Sequence, residues 1–203
     1  MTRRSLLLLP GVLVCVVAAA AYSQSTREAP YTELFYPSGG LRIQAYLYQP
    51  DGAGPFPVVI YNHGSRIGRE RESVPWEFIG KMLTRAGYVV LVPERRGYGR
   101  SEGPIWRPRT RGSGASDDRQ LVARLTEETD DVLAALDYLR TLPFVDMNRL
   151  GIMGWSFGGI VTMFAVGRST AFAVAVDQAG GALTWNGSEQ MRRALTAAAE
   201  RAT

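Results

Sequence analysis

A mostly parallel, doubly wound α/β sheet, preceded by an antiparallel hairpin, is the architecture that this 203-residue sequence predicts. From residue 57 onward, short apolar runs of strand length alternate with amphipathic runs of helical period. This alternation is typical of a parallel sheet covered by helices on both faces. One strand-to-helix junction carries the pattern Gly154-Trp155-Ser156-Phe157-Gly158. The chain is long enough for one domain with a buried core, which we assign to residues 24–203.

The first 23 residues are predicted to be a signal peptide. A basic start, Thr2-Arg3-Arg4, precedes an apolar segment at residues 6–17 and a run of small residues at 18–23. The apolar segment contains Pro10 and is shorter than the roughly 20 residues that a membrane-spanning helix needs. Residues 2–7 also resemble a twin-arginine signal. We therefore expect a protein that is exported to the periplasm or out of the cell.

Two strands, at residues 31–36 and 41–48, form the predicted N-terminal hairpin around the turn Pro37-Ser38-Gly39-Gly40. Apolar residues at every second position of the second strand predict a hairpin with one exposed face. These residues are Leu41, Ile43, Ala45 and Leu47.

The remaining predicted elements alternate between strand and helix. A buried strand at 57–61 is followed by a helix that begins near Pro75 and ends at Gly87. A strand at 88–92, a long loop that includes residues 104–118, and an amphipathic helix ending at Pro143 come next. After a turn at 145–149, the predicted elements are a strand at 150–153, an apolar helix at 160–166, a strand at 172–176 and a helix from residue 186 or 188 to 201.

Charge and cysteine content exclude several kinds of site. The net charge is +4, but the densest arginine run, residues 95–111, is interleaved with Gly, Pro and Ser. This pattern indicates a solvated loop and predicts no nucleic-acid partner. The single cysteine, Cys15, lies in the predicted signal peptide, so the mature chain has no disulfide and no cysteine metal site. No phosphate-loop motif is present, and we expect no metal or organic cofactor.

Ser156 lies where an apolar strand meets a helix that is apolar on all sides. The pattern G-x-S-x-G at such a junction is typical of a nucleophile elbow, a sharp turn that raises the serine hydroxyl above the end of a parallel sheet. Gly154 and Gly158 leave room for the turn, and Gly159 lets the helix approach neighbouring strands. The free N–H groups of the first helical turn would point toward negative charge that develops beside the serine during a reaction. The sequence therefore predicts that Ser156 is a catalytic nucleophile.

Four features follow one another along the chain: His63-Gly64 after a strand, the turn 96–101 after the next strand, residues 146–149, and the Ser156 elbow. In this order they resemble the α/β-hydrolase superfamily, in particular the dienelactone hydrolase family and the prolyl-oligopeptidase-type catalytic domains. The resemblance extends over residues 31–181. It implies a serine hydrolase that acts on a small-molecule ester or lactone, or on an amide or peptide, through an acyl-enzyme. Serine in place of the cysteine usual in dienelactone hydrolases favours the esterase-like and peptidase-like relatives.

The same resemblance assigns roles to four further residues. It implies that the backbone N–H groups of Phe157 and Ser65 form the oxyanion hole. His63 has two interpretations: it shapes the oxyanion loop, as the matching residue does in the family, or it replaces the general base. Asp177 also has two: it belongs to a polar turn at a strand end, or it is the triad acid, which some lipase-like relatives carry there.

The order of the triad predicts an incomplete site. In this superfamily the serine is followed by the acid and then by the histidine, whereas the only histidine here, His63, precedes Ser156. We therefore expect the N-terminal portion of a hydrolase that lacks the last strands of the sheet and has little or no turnover. A fragment of an S9-type peptidase and a non-catalytic α/β-hydrolase-like binding or scaffold protein are the alternatives.

The predicted strand at residues 172–176 would then lie at an open edge of the sheet. It contains no charge, proline or glycine to prevent pairing with another chain. Its composition is that of an aggregation-prone segment. We therefore expect self-association through the edge at residues 172–176.

Overall fold

The structure, a computed structural model, describes residues 30–106, 115–182 and 184–201, without the side chains of 115–117. Within these ranges it contains six strands and four helices. In chain order they are β1 (Thr32–Ser38), β2 (Leu41–Tyr48), β3 (Phe56–Asn62), α1 (Glu77–Arg85), β4 (Val89–Glu94), α2 (Ala115–Arg140), β5 (Val145–Trp155), α3 (Phe157–Val166), β6 (Val174–Gln178) and α4 (Glu189–Arg201).

The strands form one sheet in the order β1-β2-β4-β3-β5-β6. β2 is antiparallel to both of its neighbours, whereas β4, β3, β5 and β6 run parallel to one another. The predicted architecture, a mostly parallel sheet with an antiparallel N-terminal hairpin, is confirmed. Because these four strands run in the same direction, their carboxyl ends lie together at one end of the sheet. Their last residues are Asn62, Glu94, Trp155 and Gln178.

Helices cover both faces of the sheet. α2 and α3 pack on one face and α4 packs against them, over a core that includes Ile60, Leu91 and Ile152. α1 packs on the opposite face near Tyr48 and Val90. The two cores use alternate residues of the same strands because successive side chains of a strand point to opposite faces.

The predicted half-exposed hairpin is wrong for its second strand. β2 lies between β1 and β4, and residues 43–48 are all buried. Its aromatic positions suggested a solvent face, but Tyr46 and Tyr48 pack on the α1 side of the sheet. The hydroxyl of Tyr48 donates a hydrogen bond of 2.7 Å to the carbonyl of Pro75, so the ring is buried while its polar end is satisfied.

Two boundaries in the middle of the chain also differ from the prediction. α2 begins at Ala115, so the end of the loop predicted at residues 104–118 is helical, and residues 107–114 lie outside the described part. The turn predicted at 145–149 lies inside β5, where the ladder with β3 shifts register between Pro57 and Val58. The N–H of Asn148 donates a 2.9 Å hydrogen bond to the Asp146 carboxylate, so this bulge keeps the local bonding of a turn.

β6 forms an edge of the sheet, two residues later in the sequence than predicted. The shift brings one charged residue, Asp177, into the strand. All five of its residues are exposed, and within the described ranges no strand pairs with its outer side. Val174 and Val176 are 60% and 49% exposed. The predicted open edge is therefore present in the described part of the chain.

The described C-terminal region ends in α4. The hydroxyl of Ser188 accepts a 3.1 Å hydrogen bond from the N–H of Met191, as a helix N-cap does, which agrees with one of the two predicted starts. Met191 and Leu195 are buried on its inner side. In the ranges that the structure describes, no helix has the length and hydropathy to cross a membrane. The predicted signal peptide at residues 1–23 lies outside those ranges.

Candidate active site

Ser156 occupies the single residue between β5 and α3. Its backbone has φ 55° and ψ −120°, a combination that residues with a side chain rarely adopt. Its N–H donates a 2.8 Å hydrogen bond to the carbonyl of Gln178 at the end of β6. Its carbonyl accepts the N–H of Gly159 at 2.9 Å, which starts the helix. The strand and the helix thus fix Ser156 from both sides, as the motif predicts for a nucleophile elbow.

The elbow glycines are required because other atoms of the chain lie directly against them. A Cβ atom on Gly154 would collide with the carbonyl of Gly158, and one on Gly158 would collide with the carbonyl of Asn62. A Cβ on Gly159 would meet the carboxylate of Asp177. The predicted roles of Gly154 and Gly158 in making room for the turn, and of Gly159 in close packing, agree with these contacts.

The segment that follows β3, residues 62–65, lies beside the elbow. The amide of Asn62 donates a 3.0 Å hydrogen bond to the hydroxyl of Thr162 in α3. A Cβ atom on Gly64 would lie 2.9 Å from the ring of Trp155, the residue before Ser156. Ser65 is exposed, and in the described part of the chain its N–H has no hydrogen-bond acceptor. The segment that ends in Ser65 therefore lies beside the β5–α3 junction.

His63 is fully buried and both of its ring nitrogens face groups other than Ser156. Nδ1 donates to the carbonyl of Gly64 at 2.7 Å, and Nε2 lies 3.3 Å from Oε2 of Glu94. The ring stacks on Trp76, with 6.1 Å between the ring centroids. Burial and the nearby Arg95 guanidinium lower the pKa of the imidazole below its ordinary range. This arrangement favours the loop-shaping interpretation of His63 over the general-base interpretation.

The bond from His63 has a direct effect on Ser65. The carbonyl of Gly64 and the N–H of Ser65 belong to one planar trans peptide, so they point in opposite directions. A hydrogen bond that fixes the carbonyl therefore also fixes the direction of the N–H. The imidazole of His63 thus orients the amide that the resemblance assigns to the oxyanion hole.

Asp177 is the next-to-last residue of β6. Its Oδ1 accepts the N–H of Gly180 at 2.7 Å and lies against Gly159 at the start of α3. Desolvation raises the pKa of its carboxyl, and the Gly180 N–H works in the opposite direction. No hydrogen bond or ion pair joins Asp177 to His63 in the described residues. These contacts are those of the predicted strand-end turn.

A cleft of about 580 Å³ opens beside the elbow, between the end of β5 and the start of α1. Trp76, at its wall, has the left-handed backbone angles φ 54° and ψ 46°. The cleft is rich in aromatic side chains, and its size suits a small-molecule group. Its lining residues are Tyr61, Val74, Pro75, Trp76, Glu77, Phe78, Ile79, Trp155 and Gln178.

Among the described residues, no group of three or more His, Cys, Asp or Glu side chains could hold a metal ion.

The prolyl oligopeptidase family matches residues 76–191, which is more than half of the chain and includes the Ser156 elbow. The chain belongs to the prolyl oligopeptidase family. The predicted resemblance to prolyl-oligopeptidase-type domains is thereby confirmed.

Individual relatives of this prolyl oligopeptidase family chain carry different names. The quorum-quenching protein AidA of Acinetobacter baumannii is 29% identical over 151 residues, which cover 74% of this chain and 44% of AidA. A putative carboxymethylenebutenolidase of Synechocystis sp. is 29% identical over 170 residues, covering 79% of this chain and 63% of that protein. The solved acylaminoacyl peptidase of Pyrococcus horikoshii has a TM-score of 0.55 at 21% identity, covering 74% of this chain and 23% of that one. The fold is that of the α/β hydrolases, and the chain spans less than two thirds of the length of each of these proteins.

A buried charged cluster behind the 62–65 segment escaped the sequence analysis. In this family member Glu94 is the last residue of β4 and Arg95 follows it directly. Arg95 pairs with Glu128 of α2, although 33 positions separate them. Glu94 also pairs with Arg66 and accepts the N–H of Val74 at 2.8 Å. One signal could have indicated the cluster: two arginines directly follow an apolar strand, and the helix that comes next carries acidic residues within its apolar stripe.

Proposed function

We propose that the chain is a serine hydrolase that acts on carboxylic esters, lactones or amides through an acyl-enzyme. The observation that carries this proposal is the backbone of Ser156, held at φ 55° between a buried strand and a helix N-terminus. Such strain persists where the surrounding structure over-determines it, and it concentrates at functional sites. Membership of the prolyl oligopeptidase family supports the same chemistry.

In the proposed reaction, Oγ of Ser156 bonds to the carbonyl carbon of the substrate and loses its proton to solvent or to a base outside the chain. The N–H groups of Phe157 and Ser65 donate to the oxyanion that forms. As the tetrahedral intermediate collapses, the bond to the leaving alcohol or amine breaks and an acyl-Ser156 ester remains. Water then releases the acid and restores the serine.

We expect these residues alone to turn substrate over at or barely above background. General-base assistance contributes about 10²–10⁴-fold to such reactions, and the one histidine of the sequence is engaged with Gly64 and Glu94. An oxyanion hole without a base still leaves a small residual rate. Acylation without efficient deacylation is the expected behaviour.

The burial of His63 also favours a second candidate, a non-catalytic α/β-hydrolase-like binding or scaffold protein. In that case the aromatic cleft would hold a ligand without bond cleavage. A third candidate differs only in substrate: the family name and the acylaminoacyl peptidase support a fragment of an S9-type peptidase. Small-molecule esters, lactones and peptides are thus the proposed partners, and nucleic acid is not.

Two further proposals concern the cell and the quaternary state. Residues 1–23 direct export to the periplasm or beyond, by a signal that resembles the twin-arginine type. Where nothing else covers the open β6 edge, two chains associate through it. The reason is that its outer N–H and C=O groups are unpaired within the described residues.

Intact-mass spectrometry after mixing with a small activated acetyl ester tests the hydrolase proposal. We expect one acetyl group to accumulate on the wild type and none on Ser156→Ala, with slow release. Equal acetylation of both proteins would reject Ser156 as the nucleophile. Tight, saturable retention of an aromatic ester in the cleft without acetylation would favour the binding-protein candidate.

A further inference from the structure

Arg95 is a completely buried arginine at the carboxyl end of β4, next to the 62–65 segment. Its Nε donates a 2.7 Å hydrogen bond to Oε2 of Glu128, and its Nη2 donates a 2.8 Å bond to the carbonyl of His63. A buried charge is costly unless it is paired and hydrogen-bonded. One guanidinium group therefore joins α2 to the backbone at the end of β3.

Glu128 is itself fixed in place. Arg124, one helical turn earlier, donates a 2.7 Å hydrogen bond to its Oε1, while Arg95 occupies Oε2. Nη1 of Arg124 donates to the carbonyl of Pro104 at 3.0 Å. Both carboxylate oxygens of Glu128 are thus used, which limits the rotation of the carboxylate and hence the position of the Arg95 fork.

The bond from Arg95 fixes the peptide that precedes the Ser65 amide. Arg95 holds the carbonyl of His63, and the His63 ring holds the carbonyl of Gly64. Two consecutive peptide planes are therefore oriented by side chains. On its other side the His63 carbonyl lies against Gly158, at the first turn of α3. Movement of this carbonyl would change the distance between the Ser65 N–H and the Ser156 elbow.

We propose that Arg95, oriented by Glu128, is a positioning residue that sets the geometry of the oxyanion hole by fixing the His63 carbonyl. This inference rests on the proposed function, in which the Ser65 N–H donates to the oxyanion. A lysine at position 95 presents one ammonium group in place of a planar fork, so it cannot hold the carboxylate and the carbonyl in the same geometry. In this role Arg95 does not contact the substrate.

The test compares the rates at which an active-site phosphonate and its phosphonothioate analogue modify the full chain. A P=S group accepts hydrogen bonds more weakly than P=O, so the ratio of the two rates reports on the oxyanion donors and not on the general state of the fold. The variants are Arg95→Lys and Glu128→Gln. Arg96→Lys is the matched control. Arg96 pairs at 2.8 Å with Asp131, which lies in α2 as Glu128 does, and it makes no hydrogen bond to the described residues 62–65.

We expect the P=O over P=S preference to fall about tenfold in Arg95→Lys and several-fold in Glu128→Gln, because loss of one oxyanion donor costs about 10²–10³-fold and a displaced donor costs less. Arg96→Lys should keep the wild-type ratio. An unchanged ratio in a folded Arg95→Lys protein would overturn the inference while leaving the proposed function intact.

The remaining outcomes are also decisive. If Arg95→Lys does not fold, the Glu128→Gln ratio decides in its place. Failure of both variants to fold, with a folded Arg96→Lys, would overturn the inference, because the pair would then be a core-stability element. If the wild type is not modified at Ser156 at all, the proposed function has failed, and the inference falls with it.

Discussion

His63 Nε2 lies 3.3 Å from Oε2 of Glu94, and both side chains are completely removed from solvent. The one histidine of the sequence is therefore committed to a buried carboxylate on one side and to the Gly64 carbonyl on the other. A general base must reach the hydroxyl that it deprotonates. The pair instead forms the support of the segment that carries Ser65.

Replacement of His63 separates support of this segment from base catalysis. His63→Ala removes the donor to Gly64 and the neighbour of Glu94, so we expect a loss of about 1–3 kcal/mol in the free energy of unfolding. Acylation of Ser156 should slow only moderately. His63→Asn should recover part of both losses, because its amide can donate to the Gly64 carbonyl. A robust ester turnover that collapses equally in both variants would instead identify His63 as the base.

The pKa of His63 predicts an acid-sensitive fold. Burial and Arg95 lower this pKa below its ordinary value of 6.5, with Arg66 acting in the same direction and Glu94 opposing it. The unfolded chain therefore takes up a proton at a higher pH than the folded chain. The contribution of the neutral, buried imidazole to the free energy of unfolding is therefore fully present above pH 6.5. It is lost as the pH falls from 6.5 toward the pKa of His63 in the folded chain.

Urea unfolding of the wild type and of His63→Gln between pH 4.5 and pH 8 checks this expectation. Because the sequence has no other histidine, the free energy of unfolding of His63→Gln should no longer fall with pH just below pH 6.5. Burial acts to raise the pKa of Glu94, but His63 and Arg66 beside it hold it below its ordinary value of 4.5. Its own contribution is therefore lost only at lower pH. Parallel pH profiles of the two proteins would contradict the account.

The close approach at Gly158 predicts a severe effect of one methyl group. In Gly158→Ala, the added Cβ would collide with the carbonyls of Asn62 and His63. We expect the free energy of unfolding to fall by about 1–3 kcal/mol or more, since a rigid backbone has to move. Gly187→Ala is the control, because a Cβ there meets nothing within 4 Å. Equal thermal stability of the two variants would show that the elbow is not packed as described.

The β6 edge predicts concentration-dependent association. Val174, 60% exposed on this edge, should favour pairing with a second chain, and a lysine there should oppose it. Size-exclusion chromatography with light scattering is the measurement, on the wild type and on Val174→Lys. Met82→Lys is the control, because Met82 is an exposed apolar residue of α1 away from the edge. A monomeric wild type that Val174→Lys leaves unchanged would contradict this expectation.

Periodicity and the elbow motif predict the sheet, the helices and the position of Ser156 at a strand-to-helix turn, because local patterns carry that information. The two-sided burial of β2 was missed because tyrosines such as Tyr46 suit either an exposed or a buried face. The buried charges were missed for a different reason. Arg95 and Glu128 are far apart in the sequence, and a charged residue gives no sign of its partner until the fold brings the two together.

Above all, we propose that Ser156 is a strained, accessible nucleophile beside two oxyanion donors. The direct measurement is peptide mapping by mass spectrometry after prolonged exposure to an active-site phosphonate. We predict slow modification of the wild type at Ser156 alone and no modification of Ser156→Ala. Equal modification of the two proteins, or modification of the wild type at other serines only, would contradict the claim.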